Sequence, residues 1–174
     1  MEGCQMAGMH RNSRLRLVVL ACLLALGATA SAQTRLTLLN PDEASRLRLS
    51  RDELLGVGPT LRGTAGPRIL FQEPIVKQTP NGPVIETTPS TSFLILFEAN
   101  GSPVDMESLE IKAKKGILSM SLTPRLRPFI EGTSLKAPSV SVPEGRFLIQ
   151  IEILDKTGAR AVEQYRLDVR QVSS

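Results

Sequence analysis

The sequence predicts an all-β protein: a single two-sheet antiparallel sandwich of about seven strands, with a short N-terminal helical extension. Three observations carry this. Past residue 67, short apolar runs recur, and several alternate apolar and polar residues with period two. Gly, Pro and Asn cluster between those runs as turns. No helical period long enough for a crossover helix intervenes.

The chain opens with an export-type leader. Arg11, Arg14 and Arg16 precede an apolar run from Leu17 to Leu26, and Ala30 and Ala32 flank Ser31. Positive charge, apolar core and small-x-small is the order of a secretory signal, so residues 1–32 are expected to be removed after Ala32. The run is shorter than the roughly 20 residues of a spanning helix. Cys22, after Val19, Leu20 and Ala21, offers a lipoprotein-type alternative. Bulky Leu20 and the continuation of the run to Leu26 count against it.

Losing that leader removes Cys4, Cys22 and His10, which are both cysteines and the only histidine. The formal charge falls from +4 to about +2, which demands no polyanionic partner. Without cysteine the chain has no disulfide framework and must hold itself by burial. The setting expected is periplasmic or secreted.

Residues 33–67 read as an extension and linker. Asn40 suits a helix N-cap, Pro41 the first helical position, and Glu43 the third position of a capping box. The helix is expected over about 41–55, with Leu47, Leu54 and Leu55 on one face and loose docking. GVGPTLRGTAGP, 56–67, reads as the linker.

The sandwich is expected over 68–172. RILFQ and PIVKQ flank Pro74, which marks an edge or a break. TPNGP turns the chain into PVIETT. SFLILFE is apolar on both alternating sets, as in a strand covered on both faces. SLEIKAK puts Leu109, Ile111 and Ala113 inward. GILSMSL puts Leu118, Met120 and Leu122 inward. After the Pro-punctuated SLKAPSVSV, the strand Arg146–Leu154 carries Phe147, Ile149, Ile151 and Ile153 to the core. DKTG, with Gly158 for its backbone conformation, makes the hairpin to a strand burying Tyr165, Leu167 and Val169.

The order PNG, ETTPSTSFLILF, VDMESLEI, VPEGRFLIQIEILDKTG and YRLDV resembles bacterial immunoglobulin-like domains of the fibronectin type III-like sort, over about residues 68–170. In such domains an Asp- and Ser-bearing turn leads into a strand, matched by Asp105, Ser108 and Leu109. A Pro-x-Gly-x-aromatic corner opens a long strand, matched by Pro143, Gly145 and Phe147. An Asp-x-x-Gly turn ends it, matched by Asp155 and Gly158. The resemblance implies a single immunoglobulin-like sandwich. The core Trp and paired cysteines of antibody-type domains have no counterpart here.

Catalytic chemistry is thinly provided. A serine triad needs a His base, a cysteine nucleophile and structural zinc need Cys or His, and none outlasts the leader. GVGPTLRG has Pro where a phosphate loop would open its helix. Carboxylate pairs remain, yet the scarcity of aromatics argues against a sugar-binding cleft. Asp105, Glu107 and Asp155 suit either a calcium site or simple turn chemistry, with Asp105 capping the turn before Ser108 and Asp155 starting the DKTG turn. Turn chemistry is the simpler reading. Lys112, Lys114 and Lys115, and Arg125 with Arg127, suit either an anionic partner or solvated, edge-protecting positions; the latter is favoured.

The expectation is a non-catalytic module with no catalytic, metal or cofactor-binding residue. It would bind another envelope or secreted protein, with no nucleic acid and no stable membrane insertion after cleavage. Expected contact sites are the 33–67 extension, the Pro-rich segment 123–138, and sandwich loops or an exposed strand edge. The alternatives are a carboxylate-based hydrolase of cell-wall polymer and a small-ligand or calcium-binding module.

Overall fold

A computed structural model describes residues 35–50, 52–53 and 65–171. The expected leader with Cys22, the Leu54–Leu55 pair, residues 56–64 of the linker and the last three residues lie outside this range.

Among the described residues, eleven strands form two sheets. They are β1 (Leu36–Thr37), β2 (Arg68–Glu73), β3 (Val76–Thr79), β4 (Gly82–Thr87), β5 (Ser90–Glu98), β6 (Val104–Lys115), β7 (Leu118–Ser121), β8 (Ile130–Glu131), β9 (Ser134–Ser141), β10 (Gly145–Asp155) and β11 (Arg160–Val169). Two short helices, α1 (Pro41–Leu47) and α2 (Thr123–Leu126), lie between them in the chain. One sheet runs β1-β9-β5-β2, with β8 sharing the outer side of β9 with β1; the other runs β3-β4-β11-β10-β6-β7. The order β2-β5-β9-β8 over β7-β6-β10-β11 is the ABED and C′CFG arrangement of the immunoglobulin sandwich.

Two joins depart from the expected all-antiparallel pairing. β4 pairs with β11 in parallel, and β1 pairs with β9 in parallel. Local alternation encodes which face is buried but not which neighbour lies alongside.

The core forms where the alternation said it would. Phe93, Ile95 and Phe97 of β5, Leu109, Ile111 and Ala113 of β6, Phe147, Ile149, Ile151 and Ile153 of β10, and Tyr165, Leu167 and Val169 of β11 are all buried. Each large side chain removed from water stabilises the fold by about 1.5–3 kcal/mol. β7 differs from expectation. Leu122 is buried, but Leu118 is half exposed and Ile117 fully exposed, because the β6–β7 hairpin tip runs past the edge of the core.

The extension is not loosely docked. Leu38, Leu39, Ala44 and Leu47 belong to the same apolar cluster as the sandwich core, and Leu39 is wholly buried. α1 starts with the expected box: the Glu43 amide donates to Asn40 Oδ1 at 2.8 Å, and the Asn40 amide donates to Glu43 Oε2 at 2.9 Å. The helix ends at Leu47, short of the expected 55, because Arg48 turns extended at ψ 128°. Ser50 and Glu53 then exchange a second pair of such hydrogen bonds.

Candidate partner-binding surface

The two lateral openings between the sheets are treated differently by this chain. On the β9/β6 side, β1 joins the margin of one sheet and α1 and α2 pack against β6 of the other. The guanidinium of Arg125 bridges the closure: it donates to both carboxylate oxygens of Glu43, at 2.8 and 2.6 Å, and to the Leu38 carbonyl at 2.6 Å. That grip holds the Glu43 carboxyl down at about 2, from an ordinary 4.5. Leu38 and Glu43 of the 33–67 segment are thus held by Arg125 of the 123–138 segment, the two segments expected to meet an outside partner.

Among the described residues the opposite side stays open. The chain leaves β2 at the margin of one sheet, crosses at the cis Glu73–Pro74 bond, and enters β3 at the margin of the other. Among the described residues no strand pairs with the outer side of β2 or of β3. Between them lies a groove of about 610 Å³, with Ile69, Leu70, Phe71, Ile75, Val76 and Tyr165 among its lining residues. Ile75 is 77% exposed and Leu70 38% exposed. The Phe71 and Tyr165 rings meet at 4.5 Å between centroids, and the Tyr165 hydroxyl donates to Glu163 at 2.6 Å. The result is a firm apolar floor flanked by two lines of backbone N–H and C=O groups, the recognition surface that strand addition uses. Pro74 pointed to an edge in the sequence. That β2 and β3 form the two sides of one opening depends on pairings the sequence does not display.

The void between the sheets is about 30 Å³ and lined by apolar side chains such as Phe93, Ile111 and Leu135, too small and too dry for a ligand.

The acids named from sequence do not converge on one ion. Asp105 lies within β6 rather than in the turn before it, and pairs with Lys156 at 2.5 Å. It is the Asp105 backbone carbonyl that accepts from the Ser108 hydroxyl, while the same hydroxyl accepts the Leu154 amide where β10 breaks register with β6. Glu107 is exposed. Asp155 accepts from the Thr157 hydroxyl and from the Thr157 and Ala159 amides, which together hold its carboxyl below the usual range. Among the described residues no three His, Cys, Asp or Glu side chains are grouped to hold a metal.

The basic residues are likewise engaged. Lys112 pairs with Glu110 at 2.7 Å, Lys114 donates to Gln150 at 3.2 Å, and Lys115 donates to the Arg48 carbonyl at 2.8 Å. Arg125 serves the closure, and Arg127 is exposed. No helix among the described residues is long and apolar enough to cross a membrane.

No family model matches the chain, and no curated protein matches it. Two solved structures align with it. CopC from Methylosinus trichosporium OB3b has 12% identity and a TM-score of 0.35, covering 62% of this chain and 98% of its own. Murine CRIg has 8% identity and a TM-score of 0.33, covering 60% of this chain and 99% of its own. The sandwich assignment rests on the strand pairing itself.

Proposed function

We propose that the protein is a non-catalytic, exported immunoglobulin-like module that binds an envelope or secreted protein by strand addition at the β2/β3 groove. The carrying observation is the asymmetry of the two openings among the described residues: one is closed by Leu38, Leu39 and α1, and the other leaves two strand edges and Ile75 uncovered. A strand laid along β2 would gain main-chain hydrogen bonds and set alternate side chains against Phe71 and Tyr165. The leader-like N-terminus supports export, and the PNG, VPEG and DKTG turns support the bacterial immunoglobulin-like reading.

The carboxylates support binding over hydrolysis. A general acid needs a carboxyl pushed up towards neutrality. Glu43, Glu53, Asp155 and Asp168 all shift down, each held as an anion by nearby hydrogen-bond donors.

The test is crosslinking capture from the cell envelope with the native protein and an Ile75→Lys/Leu70→Lys variant of equal stability. Capture of a stoichiometric protein by the native form and its loss in the variant are expected. Equal capture by both would sink the edge assignment. Turnover of wall polymer, abolished by a single carboxylate substitution, would replace binding by catalysis.

A further inference from the structure

We infer that the outer face of the six-stranded sheet carries a small-oxyanion site centred on Arg166. The register sets Arg166 of β11 beside Leu148 of β10 and Val84 of β4, and Val84 beside Lys77 of β3. One step along, Arg146, Asp168 and Glu86 form the next row. Lys77, Val84, Glu86, Arg146, Arg166 and Asp168 line a recess of about 260 Å³ that Thr79 helps to close.

The charges around the recess are uneven. Lys77 pairs with Glu86 at 2.5 Å, and Arg146 and Arg170 share Asp168. That leaves four cations on two acids. Arg166 is the cation left over: among the described residues it pairs with no carboxylate, and Nη2 donates to the Thr79 hydroxyl at 2.8 Å. Its Nε is buried with no acceptor. With no carboxylate of its own, Arg166 keeps its Nη donors available to the recess while Nε stays buried behind them.

The recess is several times the roughly 30 Å³ share of one water, which leaves room for a phosphate or carboxylate group. Such a group meets the planar fork of Arg166, with Lys77 and Arg146 on the walls. Glu86 and Asp168 also face the recess. They set the selectivity, because a ligand larger than one anionic group meets their repulsion. A single water could accept a hydrogen bond but would leave the charge uncompensated. The site lies on the sheet's outer face, apart from the β2/β3 groove, and does not depend on it.

The test is a titration of the purified protein with inorganic phosphate and, separately, acetate at low ionic strength. It is followed by heat and by the Arg166 side-chain Nε–H resonance. Saturable binding that moves this resonance, weakened about tenfold or more by Arg166→Gln and preserved in Lys136→Gln on the other sheet, is expected. Preference for phosphate identifies a phosphate-type ligand, preference for acetate a carboxylate-type one, and equal binding a site for small oxyanions of either kind. No saturation by either anion, an Arg166 resonance that stays still, or unchanged affinity in a folded Arg166→Gln protein would each overturn the site.

Discussion

Arg125 and Glu43 stand 82 residues apart in sequence and meet through two hydrogen bonds between one guanidinium and one carboxylate. The pair sits partly shielded, with side-chain exposures of 34% and 20%. It is therefore worth more than a surface pair and less than a fully buried one. Arg125→Gln is expected to destabilise the protein by about 1–2 kcal/mol, and a double-mutant cycle with Glu43→Gln should show coupling. Denaturant midpoints check it; additive effects would dissolve the pair.

The same contact sets an acid dependence. Glu43 titrates at about 2 when folded against an ordinary 4.5. Its folded value is depressed, so its contribution is complete above about pH 4.5 and is lost as pH falls towards 2. Melting curves at pH 7, 4 and 2.5 should converge for native and Glu43→Gln proteins at the lowest pH. A constant gap would contradict the assignment.

Ser108 supplies the hydrogen bond that the β6–β10 ladder omits, accepting the Leu154 amide at 2.8 Å. Ser108→Ala leaves that amide without its acceptor, at a cost of about 1–3 kcal/mol. Amide exchange at Leu154 reads this directly: it should quicken in the variant while Ile151 stays protected.

Gly66 is buried where its missing Cβ would stand 2.4 Å from the Ala161 amide nitrogen. That neighbour is backbone and cannot swing aside. Gly66→Ala should lower stability by about 1–3 kcal/mol. Gly82→Ala is the contrast: a Cβ there meets nothing, and only the φ of +99° resists it. Thermal melts of the two variants should separate crowding from backbone preference.

Asp155 anchors the DKTG turn through three accepted hydrogen bonds. Asp155→Ala should lower the melting temperature more than Asp105→Ala, whose carboxylate holds only a half-exposed lysine. Added calcium should shift neither the native protein nor the variants.

What the sequence displayed depended on range. β6, β10 and β11 were legible because burial on one sheet face imposes period two on consecutive residues. The Asn40 cap and the Gly158 turn were legible because their hydrogen bonds close within a few residues. Leu118 misled because alternation continues past the point where the opposing sheet ends. Arg125 read as one of two loose positive charges because its partner lies on the other side of the chain. The β2/β3 groove was legible only in part: Pro74 marked the edge, but an opening between two sheets is a property of strand order. Alternation along β11 sets Arg166 outward and says no more, since its meaning lies in which acids its neighbours already hold.

The closure of the sandwich by α1 has a consequence for how the molecule is made. A chain that emerges amino end first delivers Leu38 and Glu43 long before β9 and Arg125 exist. A seven-residue helix is too short to persist alone in water. That segment must wait, unstructured, until roughly 80 more residues have followed. The closing of the core is thus a late event in the making of the chain.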